Sequence, residues 1–144
     1  RGPLAGPVVA AAVIFERGVH LEGIQDSKRV PVRKRQELSD LIRREQQAST
    51  GIGKGVAVPH AHEDGIERQM LAIGISREGI EFASPDGLPV HIVALLATPL
   101  KHQKQHMELL AALSRLLQHR DVRESLLQAA DAVAVVDTFM RNRS

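Results

Sequence analysis

The apolar positions change period along this chain, and the changes outline its elements. The stretch from Pro7 to Phe15, PVVAAAVIF, is continuous and rich in Val, which predicts a buried strand. Residues 16–24, ERGVHLEGI, could turn back as a second, weaker strand with Gly18 in the turn. Further on, Leu38, Leu41 and Ile42 recur at helical spacing while charges fill the other positions, and Pro31 suits a first helical turn. A helix over Pro31–Gln47 is predicted. The glycines of TGIGKG end it and connect tightly into a strand-like VAVPHA.

Between Met70 and Ser76 the period falls to two. Leu71, Ile73 and Ile75 alternate with small residues, as in a half-buried strand. PDGLP then signals a turn. Val90 to Thr98 is almost unbroken apolar sequence, which predicts a central strand covered on both faces. After it, Leu109, Leu110, Leu113, Leu116 and Leu117 define a helix by their i, i+3, i+4, i+7, i+8 spacing. A helix around Val122 to Ala130 follows, and Asp131 is placed to cap a last one carrying Val133, Val136 and Phe139. The sum is a single α/β domain, a mixed sheet of about four to six strands packed with about four helices.

Composition narrows the function classes. A chain of 144 residues fits one domain, and 43% hydrophobic content supports an ordinary core. No apolar run approaches the roughly 20 residues of a membrane helix. No basic-then-apolar leader is visible, and a start at Arg1 is expected of a processed chain or an excised piece. Cysteine is absent, which excludes disulfides and thiolate metal sites and suits the cytoplasm. A net charge of +2 with 2% aromatics argues against nucleic acid as a partner. The basic stretch KRVPVRKR reads as a solvated helix face.

The candidate chemistry lies in STGIGKGVAVPHAHED, residues Ser49 to Asp64. Histidine keeps a neutral, nucleophilic nitrogen near neutral pH and can carry a phosphoryl group covalently. Phosphoryl transfer then needs positioning and charge stabilisation, from backbone N–H groups, arginines or a second histidine. Gly51, Gly53 and Gly55 would let backbone amides approach an anion, and Pro59 holds His60 at the end of a strand. Other readings stand beside this one. His60 could be an ordinary strand-end histidine. His60, His62 and Asp64 would share a face of an extended segment as metal ligands. His102 and His106, four apart, could do the same or simply face solvent.

A family pattern bears on that choice. Glu45 is followed at a set distance by Ile52, Gly53, Val56, Ala57, Val58, Pro59, His60 and Ala61, and GIEFASPDGLPVHIVALLATP and HMELLAALSRLL follow in order. From about Arg43 onward this resembles the enzyme IIA domain of the bacterial sugar phosphotransferase system, of the fructose/mannitol/nitrogen-regulatory type. The resemblance implies that His60 accepts phosphate from an HPr-like phosphocarrier protein and donates it onward. It implies that His106 and Arg44 assist, that no cofactor or metal is needed, and that His62 has no assigned role.

The first 42 residues resemble something else. RGPLAGPVVAAAV and the later DSK are similar to the start of type 2 ribonuclease H. In that family a Gly-Arg-Gly turn reads the ribose 2′-hydroxyl, and an Asp-Glu pair just upstream holds metal ions. Here only Arg1 and Gly2 of the turn are present and the later aspartates have no counterpart. Two-metal hydrolysis needs several convergent carboxylates, so ribonuclease activity is not expected. The resemblances together imply a chimera, residues 1–42 and 43–144 joined within a shared helix near Leu41 to Glu45 into one domain. Strand edges lacking their parental partners would be open to self-association into a homo-oligomer. Two functions follow: a phosphoryl carrier acting through His60, or a recombined domain that folds without retaining biological activity.

Overall fold

The computed structural model of the chain describes residues 8–15, 25–26, 51–67 and 69–142. Its strands are β1 (Val8–Phe15), β2 (Gln25–Asp26), β3 (Gly51–Gly53), β4 (Val56–Ala57), β5 (His60–Glu63), β6 (Gln69–Ile80) and β7 (Val90–Pro99). A 3-10 turn, Leu100–His102, leads into α1 (Gln103–Gln118), α2 (Arg120–Gln128) and α3 (Ala132–Arg141). The strands form one mixed sheet in the order β2-β1-β6-β7-β4-β3, with β5 also paired to β7. The predicted return strand in residues 16–24 and the predicted helix Pro31–Gln47 lie outside the described residues.

β7 organises the sheet. It runs antiparallel to β6, with Met70 opposite Ala97 and Ile75 opposite Ile92, and parallel to β4 and β5. Nine of its ten residues are buried, as its unbroken apolar sequence requires of a strand covered on both faces. β1, from the ribonuclease-like stretch, pairs antiparallel with β6 from Val8–Ser76 to Phe15–Gln69.

Seven strands are present among the described residues where about four to six were expected. The excess comes from residues 51–63, which the structure divides into three. Lys54 and Gly55 have φ of 58° and 76° and turn β3 back onto β4 as a tight hairpin. Pro59 has no N–H to give, so the ladder lapses between β4 and β5. Its carbonyl still accepts from the Leu96 N–H at 2.9 Å.

The helices cover one face of the sheet. Leu113 and Leu117 of α1, Val122 and Leu126 of α2 and Val135 of α3 meet Val56, Val58, Leu71, Ile73, Ile75, Ile92 and Ala94. Each such aliphatic side chain contributes about 1.5–3 kcal/mol when fully buried. Ala57, Phe82, Val90 and Val93 form a smaller cluster. Asp131 caps α3 as expected, its carboxylate accepting from the Ala134 N–H at 2.9 Å. α3 carries Val133, Val136 and Phe139 as expected; Val133 is 57% exposed, and Val135 and Val136 are in the core. No helix among the described residues is long and apolar enough to cross a membrane.

Candidate functional site

Strand alternation places the site. Along β4 and β5, Val56 and Val58 face the helices, so His60 and His62 continue that face as the apolar sequence ends. In register they stand beside Leu96 and Thr98 of β7. On α1, His106 falls on the stripe that continues through Leu110, Leu113 and Leu117, so the helix carries it onto the sheet. His106 is 2% exposed, which removes the solvated-face reading for this residue. His102 stays half-buried in the turn before the helix, and Asp64 is exposed in the turn after β5.

Three imidazoles therefore converge. The His60 and His106 rings lie 5.5 Å apart between centroids, and those of His62 and His106 only 4.2 Å apart. The Nδ1 of His60 stands 2.9 Å from the Val58 carbonyl oxygen. A carbonyl only accepts, so Nδ1 carries the proton and donates, and Nε2 keeps a free lone pair. The Nδ1 of His106 lies 2.9 Å from the Thr98 hydroxyl, in a pair closed from solvent. Burial, then the neighbouring charges of His62 and His60, push the His106 pKa down from 6.5 to about 4. It is an uncharged ring at neutral pH.

The three glycines lie in the β3–β4 hairpin. The Gly55 carbonyl accepts from the N–H groups of His91 and Ile92, whereas His60 stands beside Leu96. Four residues of strand separate the two, about 13 Å. The hairpin's Lys54 N–H is already given to the Asp86 carboxylate at 2.7 Å, and Leu88 N–H donates to the same group at 3.1 Å. Those two bonds hold Asp86 below the usual carboxylate range. Gly51, Gly53 and Gly55 thus belong to the β3–β4 hairpin and its turn. Arg44 and Glu45 lie outside the described residues, as do Arg1 and Gly2. Among the described residues no group of three or more His, Cys, Asp or Glu is arranged to hold a metal ion.

Two residues beside the His106 ring have no phosphoryl role in the sequence reading. Thr98 looks like the polar end of an apolar run, yet its period-2 position puts it on the helix-facing side. His62 was set aside for want of a family role, although its spacing from His60 already placed it on the same face.

Comparison with known proteins supplies the remaining observations. Residues 24–142 match the family model of the phosphoenolpyruvate-dependent sugar phosphotransferase system, EIIA 2. A fructose-specific EIIA component of Haloferax volcanii is 39% identical over 102 residues, 71% of this chain and 66% of the relative. A ribonuclease HII of Citrifermentans bemidjiense is 44% identical over 84 residues, 58% of this chain but only 35% of the relative. The crystal structure of the nitrogen regulatory protein IIA-Ntr from Neisseria meningitidis superposes with a TM-score of 0.63 at 35% identity, over 68% of this chain and 67% of the other. The chain thus spans about two thirds of its EIIA relative and about a third of its ribonuclease relative. The family match starts at residue 24, inside the ribonuclease-like stretch, and the ribonuclease alignment is longer than that stretch, so the two resemblances overlap.

Proposed function

Because the chain belongs, over residues 24–142, to the phosphoenolpyruvate-dependent sugar phosphotransferase system EIIA 2 family, we propose that it carries a phosphoryl group on His60. The observation that supports this most is the state of the His60 ring. Its Nδ1–H is committed to the Val58 carbonyl at 2.9 Å, and Nε2 is left as a free nucleophile beside His106.

The chemistry follows from that arrangement. The Nε2 lone pair forms a new N–P bond while the donor's imidazole leaves with the electrons of the old one. Positive charge develops on the His60 ring, and the Val58 carbonyl accepting from Nδ1–H offsets it. His106 is uncharged at neutral pH. In the tautomer in which Nδ1 accepts from the Thr98 hydroxyl, the His106 proton is on Nε2 and can be donated in a hydrogen bond to a phosphoryl oxygen. The donor is an HPr-like phosphocarrier protein, and Arg44 is assigned to the equatorial oxygens. No step requires a metal or a cofactor.

A second reading rests on the ribonuclease HII matches. If residues 1–42 are a borrowed segment, the domain is a chimera that keeps the histidine pair but has exchanged the scaffold around Arg44. A displacement of about 1 Å can cost a hundred-fold in rate, so such a domain could fold without transferring phosphate. Ribonuclease activity is expected of neither reading.

Incubation with phosphorylated phosphocarrier protein separates the two. The carrier reading expects an acid-labile label on the chain that is lost in His60→Ala. A folded chain that takes no label sinks it in favour of the inactive chimera.

A further inference from the structure

We propose that His62 is a third phosphoryl-site residue, an N–H donor to the group carried on His60. The inference rests on the carrier reading and adds a residue to it.

Three observations converge on His62. It is two residues from His60 on one strand, so their Cα atoms are about 7 Å apart and both side chains leave the same face. Its ring lies closer to His106 than that of His60 does, 4.2 Å against 5.5 Å between centroids. It is also the exposed member of the trio, whereas His106 is buried and His60 half-buried. A phosphoryl group on His60 Nε2 that reaches His106 therefore comes close to a ring touching His106. An imidazole always carries at least one N–H, and that donor meets oxygens whose charge is spread over three positions during transfer.

The proposed step moves no proton through His62. The donor's N–P bond breaks with its electron pair remaining on the donor's ring, and the N–P bond to His60 Nε2 forms. His62 donates a hydrogen bond to a phosphoryl oxygen throughout. Its contribution is largest in the transfer itself, when the oxygens are least shielded.

The test measures the rate of label transfer from phosphorylated phosphocarrier protein to the full chain and to His62→Ala, His62→Gln and His60→Ala, each shown to be folded by its thermal melt. A donor in a closed site is worth about a hundred-fold or more in rate, and the exposure of His62 makes a smaller effect the expectation. His62→Ala should fall by about ten-fold, and His62→Gln, which keeps an N–H donor, should recover most of that loss. Transfer into His62→Ala at the rate of the unchanged chain overturns the proposal, as does a Gln variant no better than Ala. Label retained by His60→Ala also overturns it, since His62 would then be an acceptor. If the unchanged chain takes no label, the carrier reading falls, and this role for His62 with it.

Discussion

The hydroxyl of Thr98 and the Nδ1 of His106 meet 2.9 Å apart, with both residues closed from solvent. The contact ties the last turn of the central strand to the first turn of α1 and fixes which nitrogen of His106 faces the neighbouring rings. Thr98→Val keeps the branched shape but leaves a buried ring nitrogen without a partner. That should cost about 1–3 kcal/mol in urea-induced unfolding. It should also slow label transfer more than stability alone explains, because the His106 ring is no longer held in orientation by the hydroxyl. A variant that unfolds and transfers like the unchanged chain would show that the hydroxyl does neither.

Acid should destabilise this domain through His106. Its pKa is about 4 in the fold against 6.5 when unfolded, so the unfolded chain binds more protons between those values. The contribution is fully present above about pH 6.5 and is lost progressively as pH falls toward 4. The loss is at most on the order of 3 kcal/mol. Unfolding free energies measured from pH 7 to pH 4 should decline more steeply for the unchanged chain than for His106→Gln.

Backbone conformation makes a separate prediction at Gly79. Its φ is +82°, and an added Cβ would lie 2.8 Å from Pro89 Cβ and 3.0 Å from His91 Cε1. The residue sits where the β6–β7 register shifts between Ile75 and Ile80. Gly87 also has positive φ, +68°, but nothing stands within 4 Å of its Cβ position. Gly87→Ala should cost about 1 kcal/mol of backbone strain, and Gly79→Ala clearly more. Equal shifts in melting temperature would contradict the crowding at Gly79.

Much of this was legible from period and spacing. Leu71, Ile73 and Ile75 announced β6, Val90–Thr98 announced a doubly covered β7, and the leucines of α1 named their own core face. Asp131 declared its cap. The glycines of TGIGKG have a composition that suits both an anion-binding turn and a hairpin. The hairpin itself shows only in the pairing, with β4 on one side and Asp86 on the other. The approach of His106 to His60 and His62 was not readable from spacing, since more than 40 residues separate them and only the β5–β7 register brings them together. The resemblance to a family supplied His60 and His106 but was silent on His62 and Thr98.

Gln69 opens β6 at the same end of the sheet. Continuing the β6–β7 register by one residue from Met70–Ala97 sets it beside Thr98, on the face that carries Leu71, Ile73 and Ile75 toward the helices. Its Nε2 is buried and has no hydrogen-bond partner among the described residues. A buried amide donor without an acceptor costs about 1–3 kcal/mol, a penalty the fold carries with no structural return. Methionine has the same unbranched length and no amide, so Gln69→Met should raise the unfolding free energy by about 1 kcal/mol. Urea midpoints of the two proteins, compared at equal m-value, measure the gain. If the amide instead serves the phosphorylated state, the gain should shrink when both proteins carry the phosphoryl group, because only glutamine can then donate to it. A midpoint that falls in the unphosphorylated variant would mean that Gln69 already holds an acceptor in the resting fold.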